Sequence, residues 1–517
     1  IRSCYSRFVL RRLSAAVLAV LAIVLSPSIR QARAAHNSSP YLVLIVMDGF
    51  RPDYQTLAPM HHLRALMARG MTYDTAWVGQ MESETPTGHA TIATGVYPRK
   101  HGVVGFGWRD PTNGGFVFWP TDLRQIIAGN LSRLIEQSGV PTISDLIHQR
   151  NRNDLVVSVS GEKYYAAATM GTGADFVLYG KDDAKGKFRP VSIGPNPPPP
   201  SSHYQSVVGD SAIENQDAFA SSLAVQFAKT LRPRALLINL PGADIGGHYY
   251  GAMRDPGHMR TVVRGDDWAI GRVVDEYQKL GILNRTIFVV TADHGMASNR
   301  HIVPIHPMYN TVRAAGIAQL DQEYRITLGS IWLKQPQQAQ SLATTMAAKH
   351  FAGIEGALYR NSPSTFAPEP GSTTHMPHSL LQAYLDLADT EAGPTGPDIL
   401  LPYGEDTTGL TVKGRKLWGT HGGFSWGVQH IPLVIAGPGV RHGISHFPAK
   451  LVDVAPTIEQ LLGFKVPAGV DGVVLADGLS SKTGAAQAAQ SAVQSRRLVD
   501  VKALAAHSLQ QGGQEKL

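Results

Sequence analysis

Three apolar segments, far apart in the chain, each end in side chains that bind metal ions in proteins. They are LVLIVMD, which ends at Asp48, LLINLPGADIGGH, which holds Asp244 and His248, and TIFVVTADH, which ends in Asp293 and His294. Continuous apolar runs of this length are typical of strands buried on both faces of a parallel sheet. Because the carboxyl ends of parallel strands meet at one edge, we expect these side chains to share one site there. The pattern therefore predicts an α/β fold with a metal-binding site.

Strand-like and helix-like segments alternate along most of the chain. This alternation predicts a doubly wound, mostly parallel sheet flanked by helices. The predicted strands lie at residues 41–47, 155–159, 235–240, 286–291 and 431–436. The predicted helices lie at residues 57–69, 143–150, 217–230 and 261–280.

Two regions interrupt this alternation. Residues 181–205 are rich in proline, glycine and serine, and four consecutive prolines at 197–200 exclude a central strand, so a surface excursion is expected. Residues 301–416 contain a strand-like piece at 325–334 and a helix-like piece at 339–350. We interpret them as an inserted cap subdomain that shapes access to the site or serves as scaffold. The main domain would then comprise residues 36–300 and 417–475.

The two ends of the chain have distinctive compositions. Residues 1–35 resemble a secretory signal peptide, because a basic start is followed by the apolar stretch 13–25 and by small residues that fit an A-x-A cleavage site. That stretch is shorter than the roughly 20 residues that span a bilayer. We therefore expect cleavage, no stable membrane span, and export to the periplasm or medium of a bacterium. Residues 476–517 are rich in Ala, Gln and Ser and predict a frayed helix or a disordered, low-complexity tail.

The charge and the cysteine content exclude some classes of function. Six arginines lie in the signal-like segment and account for most of the net charge of +7, so this charge does not indicate nucleic-acid binding. The only cysteine, Cys4, lies in the same segment. The rest of the chain therefore has no disulfide, no thiolate metal ligand and no cysteine nucleophile.

The candidate metal ligands are carboxylates and imidazoles without sulfur. This donor set suits zinc, manganese or related divalent ions. His421, in GTHGG, adds one more imidazole between turn-forming residues. Taken singly, an Asp after a strand or a His beside Gly is more often a turn residue. Together, the donors are numerous enough for two metal ions.

A candidate nucleophile lies in SETPTGHATIATG, residues 83–95. A turn with proline and glycine leads into a short helical pattern, so a hydroxyl at its start would meet backbone N–H groups and a positive helix end. Hydroxyls at helix starts are usually caps. The spacing alone does not choose among Ser83, Thr85, Thr87 and Thr91.

The ordered motifs MDGFRPDY, ETPTGHATIATGVYPRKHGV, ADIGGHYYG, TADHGM and GTHGGFSW resemble the alkaline phosphatase superfamily, in particular its type I phosphodiesterase/nucleotide pyrophosphatase branch. The resemblance runs from about residue 42 to residue 475. It implies an alkaline phosphatase-like fold, two divalent metal ions, expected to be zinc, and Thr85 as the nucleophile. One zinc would be held by Asp48, Thr85, Asp293 and His294. The other would be held by Asp244, His248 and His421.

The resemblance further implies an enzyme that hydrolyses a small phosphoester or nucleotide through a phosphothreonine intermediate. Many relatives have an asparagine that contacts phosphate shortly after the HG of the YPxxHG segment. Here Gly105 or Phe106 stands at that point, and Asn113, which is close in sequence, is a candidate to replace the asparagine. Related monoesterases carry a Lys and an Arg two residues apart, where this chain has Lys163 and Tyr165.

These departures favour a phosphodiesterase. A bidentate arginine matches the dianion of a phosphate monoester better than a lone lysine does. We therefore expect Lys163, Phe106 and Tyr165 to contact substrate, although an exposed loop lysine and core aromatic rings are alternative interpretations. The alternative functions are an alkaline phosphomonoesterase and, less favoured, a phosphotransferase or a catalytically silent envelope protein.

Overall fold

The computed structural model describes residues 39–182, 187–194, 209–210, 213–303, 305–315, 329–373, 375–408 and 417–513. The signal-like segment at 1–35 lies outside the described residues, as do residues 183–186 and 195–205 of the expected surface excursion. The described part of that excursion differs from the expectation, because residues 181–182 end one strand of the central sheet and residues 187–192 form another. In the described part of the chain, no helix is long and apolar enough to cross a membrane.

The strands are numbered in chain order. They are β1 (Tyr41–Met47), β2 (Gly70–Tyr73), β3 (Trp108–Arg109), β4 (Phe116–Val117), β5 (Val156–Ser160), β6 (Phe176–Asp182), β7 (Lys187–Ser192), β8 (Gly209–Asp210), β9 (Ala235–Leu240), β10 (Thr286–Thr291), β11 (Ala297–Ser298), β12 (His301–Ile302), β13 (Ser330–Ile331), β14 (Leu358–Arg360), β15 (Phe366–Pro368), β16 (Ile399–Leu400), β17 (Thr407–Thr408), β18 (Gly419–Thr420), β19 (Leu433–Ala436) and β20 (Gly443–Ser445).

The α-helices are numbered in the same way. They are α1 (His61–Met67), α2 (Thr85–Thr94), α3 (Pro98–His101), α4 (Leu123–Ile127), α5 (Asn130–Glu136), α6 (Ile143–Arg150), α7 (Tyr164–Met170), α8 (Ile213–Thr230), α9 (Gly242–Tyr250), α10 (Pro256–Lys279), α11 (Ile305–Ala314), α12 (Ala339–Ala347), α13 (Pro370–Thr373), α14 (His378–Ala388), α15 (Trp426–Gln429), α16 (Val454–Leu461) and α17 (Gly484–Gln510).

A ten-stranded sheet with the order β20-β2-β19-β10-β1-β9-β5-β6-β7-β8 forms the centre of the molecule. Its five middle strands, from β10 to β6, pair in parallel, whereas β19 and β7 add antiparallel neighbours on the two sides. The register aligns Val46 of β1 with Thr291 of β10 and with Asn239 of β9. The carboxyl ends of these three strands therefore lie side by side, as the predicted doubly wound fold requires.

Most predicted elements are confirmed. The strands at 41–47, 235–240 and 286–291 and the helix at 143–150 match residue for residue. Other elements have shifted ends. The predicted helix at 261–280 begins earlier, at Pro256, because the Asp255 carboxylate caps it by accepting the His258 backbone N–H at 3.2 Å.

Residues 329–403 hold a second, four-stranded sheet with the order β13-β16-β14-β15. Its own apolar core contains Leu333, Leu342 and Met346. The helix predicted at 339–350 is α12, and the strand-like piece predicted at 325–334 is described only from residue 329 and includes β13. The boundaries of a cap subdomain at 301 and 416 stay a prediction.

The C-terminal region is helical. Residues 484–510 form the single helix α17, which agrees with the helical alternative of the expectation and not with a disordered tail. Val501 and Leu504 are buried in a cluster shared with α14. Arg497 is buried and donates to Asp453, with Nη2 at 3.1 Å from Oδ1. The few core-facing residues recur every three or four positions, and the Ala- and Gln-rich composition obscures this stripe.

Candidate metal centre and nucleophile

Asp48 and Asp293 reach the same edge of the sheet from neighbouring strands. Asp48 directly follows β1, and Asp293 lies two residues after β10. The Asp293 Oδ1 atom accepts the Gly49 N–H at 3.1 Å and the His294 N–H at 3.0 Å. Gly49 has a φ of +70°, and a Cβ there would lie 2.8 Å from the Asp244 Cα. Only glycine suits this point, where the three strand-end segments meet.

Asp244 and His248 lie on helix α9, which begins at Gly242 shortly after β9. The sequence indicated a glycine-rich turn, but the spacing of four residues puts both side chains on one helix face as well. The Nε2 atoms of His248 and His421 lie 3.4 and 3.2 Å from the Asp244 Oδ1 atom. The three predicted ligands of the second metal ion are therefore together.

The three histidines share one orientation, with Nδ1 bonded to a backbone carbonyl. The distances are 2.9 Å for His248 to Gly419 O, 2.9 Å for His294 to Gly295 O and 3.0 Å for His421 to Ser83 O. An Nδ1–H that donates to a carbonyl leaves a lone pair on Nε2. Burial lowers the pKa of His294 to about 3, so that ring is neutral. Imidazoles whose Nε2 atoms face carboxylates are suited to bind metal through Nε2.

The carboxylates also fit metal ions. Asp48 Oδ2, Asp244 Oδ1 and Asp293 Oδ2 are buried and accept no hydrogen bond among the described residues. Buried polar atoms without a partner are costly, and a divalent cation satisfies them. Two groups have ligand atoms within 4.8 Å of one another, namely Asp48 with Asp293 and His294, and Asp244 with His294 and His421. Oxygen and nitrogen donors without sulfur suit zinc or related ions.

Thr85 is the first residue of α2 and is completely buried. Its hydroxyl donates to Asp48 Oδ1 at 3.2 Å, and its Oγ1 atom lies 3.3 Å from His294 Nε2. The N-terminal end of α2 carries a partial positive charge, which stabilises negative charge on this oxygen.

The other candidate hydroxyls point elsewhere. Thr87 Oγ1 accepts the Gly105 N–H at 2.7 Å, and Thr91 Oγ1 donates to Gln80 Oε1 at 2.7 Å. Ser83 Oγ is buried and makes no hydrogen bond within the described chain. Of the four hydroxyls that the sequence left open, only that of Thr85 contacts the carboxylate and imidazole cluster.

Lys163 lies inside the site and is only 5% exposed, so its interpretation as an exposed loop residue is wrong. Its ammonium donates to Asp48 Oδ1 at 2.8 Å, to Asp244 Oδ2 at 2.6 Å and to Thr85 Oγ1 at 3.2 Å. Burial lowers the pKa of Lys163, but Asp244 and Asp48 outweigh burial and hold this pKa well above its ordinary value. Lys163 is therefore a cation next to the candidate nucleophile.

Phe106 and Tyr165 are half-buried and pack edge to face, with ring centroids 5.1 Å apart and an interplanar angle of 87°. Asn113 does not approach them. It is exposed, its amide donates to Asp110 Oδ2 at 3.0 Å, and its Oδ1 atom accepts the Gly115 N–H at 2.8 Å. Asn113 therefore belongs to its own turn and does not replace the missing phosphate contact.

His89 links the nucleophile to a carboxylate of the site, which the sequence did not predict. Its ring nitrogens lie 2.8 Å from Thr85 O and 3.0 Å from Asn239 Oδ1, and Nδ1 is 3.3 Å from Asp293 Oδ2. Burial lowers the pKa of His89, but Asp293 reverses this effect and raises it. A protonated ring donates from both nitrogens. In the sequence, the polar Asn239 within the otherwise apolar strand ALLINL could have indicated a buried polar partner such as His89.

The sequence matches the family model for type I phosphodiesterase/nucleotide pyrophosphatase over residues 42–367. A bis(5'-adenosyl)-triphosphatase of Xenopus laevis is 24% identical over 273 residues, which cover 52% of this chain and 51% of that protein. An uncharacterised pyrophosphatase/phosphodiesterase of Schizosaccharomyces pombe is 24% identical over 55% of this chain and 53% of that protein. The chain thus spans about half the length of these curated relatives.

Solved structures show the same fold. Alkaline phosphatase PafA aligns with a TM-score of 0.64 at 16% identity, covering 86% of this chain and 99% of that one. Human ectonucleotide pyrophosphatase/phosphodiesterase 5 aligns with a TM-score of 0.59 at 17% identity, covering 85% of this chain and 100% of that one. The fold is therefore alkaline phosphatase-like. Because the family model covers more than half of its residues, the chain belongs to the type I phosphodiesterase/nucleotide pyrophosphatase family.

Proposed function

We propose that this protein is a two-metal phosphoester hydrolase that acts on phosphodiesters or nucleotide pyrophosphates, with Thr85 as its nucleophile. One observation carries the proposal. The buried Thr85 Oγ1 atom lies within 3.3 Å of a carboxylate, an imidazole and an ammonium group at once. A hydroxyl in such surroundings is held in one position and ionises more readily than a free threonine.

The residues divide into two ligand groups. Asp48, Thr85, Asp293 and His294 would hold one divalent ion, and Asp244, His248 and His421 would hold the other. When bound, such ions act as Lewis acids that favour ionisation of a hydroxyl ligand and neutralise charge on a leaving oxygen. We propose zinc for both positions, because the donors are imidazoles and carboxylates.

Thr85 performs the bond-making step. Its Oγ1 atom forms a bond to phosphorus while the bond from phosphorus to the leaving oxygen breaks, which yields a phosphothreonine. Water then attacks the same phosphorus and releases Thr85. The positive end of α2 stabilises the negative charge on Oγ1 before attack and after release.

Lys163 places a second positive charge beside the reacting oxygen. Its ammonium is 3.2 Å from Thr85 Oγ1, so it is able to bind a non-bridging oxygen of a phosphate attacked by this residue. Phe106 and Tyr165, whose rings pack on each other with centroids 5.1 Å apart, would add aromatic surface for the leaving group. This combination of one cation and apolar rings favours a phosphodiester, which carries one negative charge.

The bis(5'-adenosyl)-triphosphatase name of the Xenopus laevis relative supports a nucleotide among the substrates. An alkaline phosphomonoesterase is the second candidate function, because the buried Lys163 cation beside Thr85 is also able to bind an oxygen of a phosphate monoester. Kinetics with bis-p-nitrophenyl phosphate and p-nitrophenyl phosphate decide between them. We expect a higher kcat/KM for the diester, and a strong preference for the monoester would overturn the first proposal.

Export to the periplasm or medium of a bacterium is part of the proposal and rests on the signal-like composition of residues 1–35. Expression of the full chain in a bacterium, fractionation and N-terminal sequencing of the product test it. We expect a start near residue 36 in the exported fraction. Uncleaved protein in the cytoplasm would contradict this part.

A further inference from the structure

The helix that carries Asp244 and His248 is capped by a residue from a distant part of the chain. Pro241 precedes α9 and provides no side-chain cap. The Gly242 N–H donates instead to Asp217 Oδ1, which lies on α8, at 2.9 Å. A Cβ at Gly242 would collide with the Asp217 carboxylate, so the contact requires glycine. A carboxylate at this end of a helix also complements the partial positive charge there.

The residue next to Asp217 holds another segment of the site. Gln216 Oε1 accepts the Glu162 N–H at 3.1 Å, and Glu162 directly precedes Lys163. Lys163 in turn donates to Asp244 Oδ2 at 2.6 Å. Two adjacent residues near the start of α8 therefore fix both segments whose side chains meet in the pair of Lys163 and Asp244.

Asp217 is completely buried and faces a second completely buried acid, Asp266 of α10. As carboxylates, Asp217 Oδ2 and both oxygens of Asp266 would have no hydrogen-bond partner among the described residues. Two buried carboxylates repel each other, whereas a proton on one of them allows a hydrogen bond to the other. Burial and the neighbouring Asp217 raise the pKa of Asp266 well above its ordinary value, so Asp266 holds the proton. Asp266 then donates to Asp217, which accepts the Gly242 N–H.

We propose that Asp217, held by a hydrogen bond from Asp266, positions the start of α9 so that Asp244 and His248 bind the second metal ion. The inference rests on the proposed function and adds two positioning residues to its metal centre. Both act through the two ligands on α9 and not through a bond of their own to the metal ion. Residues that orient metal ligands in this way typically change metal affinity about 10- to 100-fold.

Asp217→Ala is the main test, because it removes the cap and leaves every candidate metal ligand in place. Competition with a chelator measures the zinc affinity. We expect the Kd of one of the two bound zinc ions to rise about 10- to 100-fold, while the Kd of the other changes less than about threefold. Asp217→Asn keeps an oxygen that accepts the Gly242 N–H, so it is expected to raise the affected Kd less than Asp217→Ala does. Gly242→Ala forces a methyl group against Asp217, is expected to weaken the same ion, and replaces Asp217→Ala if that variant does not fold.

Asp267→Ala is the matched control. Asp267 is the neighbour of Asp266 on α10 and is also buried. It also caps a helix, since its Oδ1 atom accepts the N–H groups of His62 and Leu63 at 3.0 and 2.9 Å at the start of α1. That helix carries no candidate metal ligand. Asp267→Ala is therefore expected to lower the free energy of unfolding of the metal-free protein, as Asp217→Ala does, while both zinc Kd values stay within about threefold of the wild type.

A double variant assigns the effect to the second metal ion. Asp244→Ala is expected to leave one bound zinc ion per chain, and adding Asp217→Ala is expected to change the Kd of that ion less than about threefold. Unchanged Kd values in Asp217→Ala, or an equal weakening of both ions, would overturn the inference. A third zinc ion that is lost in Asp217→Ala would also overturn it, because Asp217 and Asp266 would then bind a metal ion instead of sharing a proton.

The two proposals fail in different ways. A wild-type protein that binds two zinc ions but hydrolyses no phosphoester would refute the proposed function. The zinc Kd values of the variants decide the role of Asp217 whether or not the protein turns over a substrate.

Discussion

Glu459 makes the stability of this protein depend on pH. It lies in α16, is completely buried, and neither oxygen of its carboxyl group has a hydrogen-bond partner among the described residues. Burial raises the pKa of Glu459 from 4.5 to about 8. The folded protein therefore keeps this carboxyl protonated at pH values where the unfolded chain ionises it. Stability is complete below pH 4.5, the unfolded value, and declines as the pH rises to about 8.

The magnitude follows from the size of the pKa difference. At about 1.4 kcal/mol for each pKa unit, the shift amounts to roughly 4–5 kcal/mol over the full window, and to about 4 kcal/mol between pH 5 and pH 9. Glu459→Gln keeps the shape of the side chain and removes the ionisation. Relative to the wild type, its free energy of unfolding is expected to rise by about that amount from pH 5 to pH 9.

Urea unfolding at pH 5 and pH 9, at one fixed zinc concentration, measures this change. Any cost of the buried glutamine amide is present at both pH values and cancels in the comparison. Asp275→Asn, at an exposed position of α10, is the control, and its pH dependence is expected to match the wild type within about 0.5 kcal/mol. If Glu459→Gln differs from the wild type by the same free energy at both pH values, then Glu459 does not cause the loss of stability at high pH.

Three further predictions follow from buried contacts. Arg497→Met leaves Asp453 without its buried cation and is expected to cost about 3–5 kcal/mol in urea unfolding. Arg124→Ala removes the exposed pair with Asp122 and is expected to leave the free energy of unfolding close to that of the wild type; equal costs would contradict this. His89→Ala is expected to lower kcat/KM about 10- to 100-fold and, because His89 is completely buried and bonded to Thr85 and Asn239, to lower the unfolding midpoint as well; an unchanged kcat/KM would contradict the link to the nucleophile. Asp244→Ala is expected to leave one metal ion per chain by elemental analysis, and two would refute its assignment.

Much of the fold could be predicted because its central strands are buried on both faces. Continuous apolar runs give strand positions directly, so β1, β9 and β10 were predicted residue for residue. Parallel pairing then brings the residues at the strand ends together. Their proximity is therefore predictable without knowing how the loops fold. The candidate ligands Asp48, Asp244 and Asp293 were found for this reason.

The features that the sequence did not reveal depend on contacts between distant segments. The buried face of α17 consists of a few side chains in a composition typical of disorder, and Arg497 gains its partner Asp453 only from another part of the chain. The burial of Lys163 and the contact of Phe106 with Tyr165 likewise result from tertiary packing. No local periodicity encodes such contacts.

Turnover of bis-p-nitrophenyl phosphate by Thr85→Ala, measured together with the metal content of this variant, decides whether Thr85 is the nucleophile. We expect turnover to fall to background, while the circular dichroism spectrum is unchanged and the zinc content stays close to that of the wild type. Turnover within about tenfold of the wild type at the same metal content would show that the reaction proceeds without the Thr85 hydroxyl.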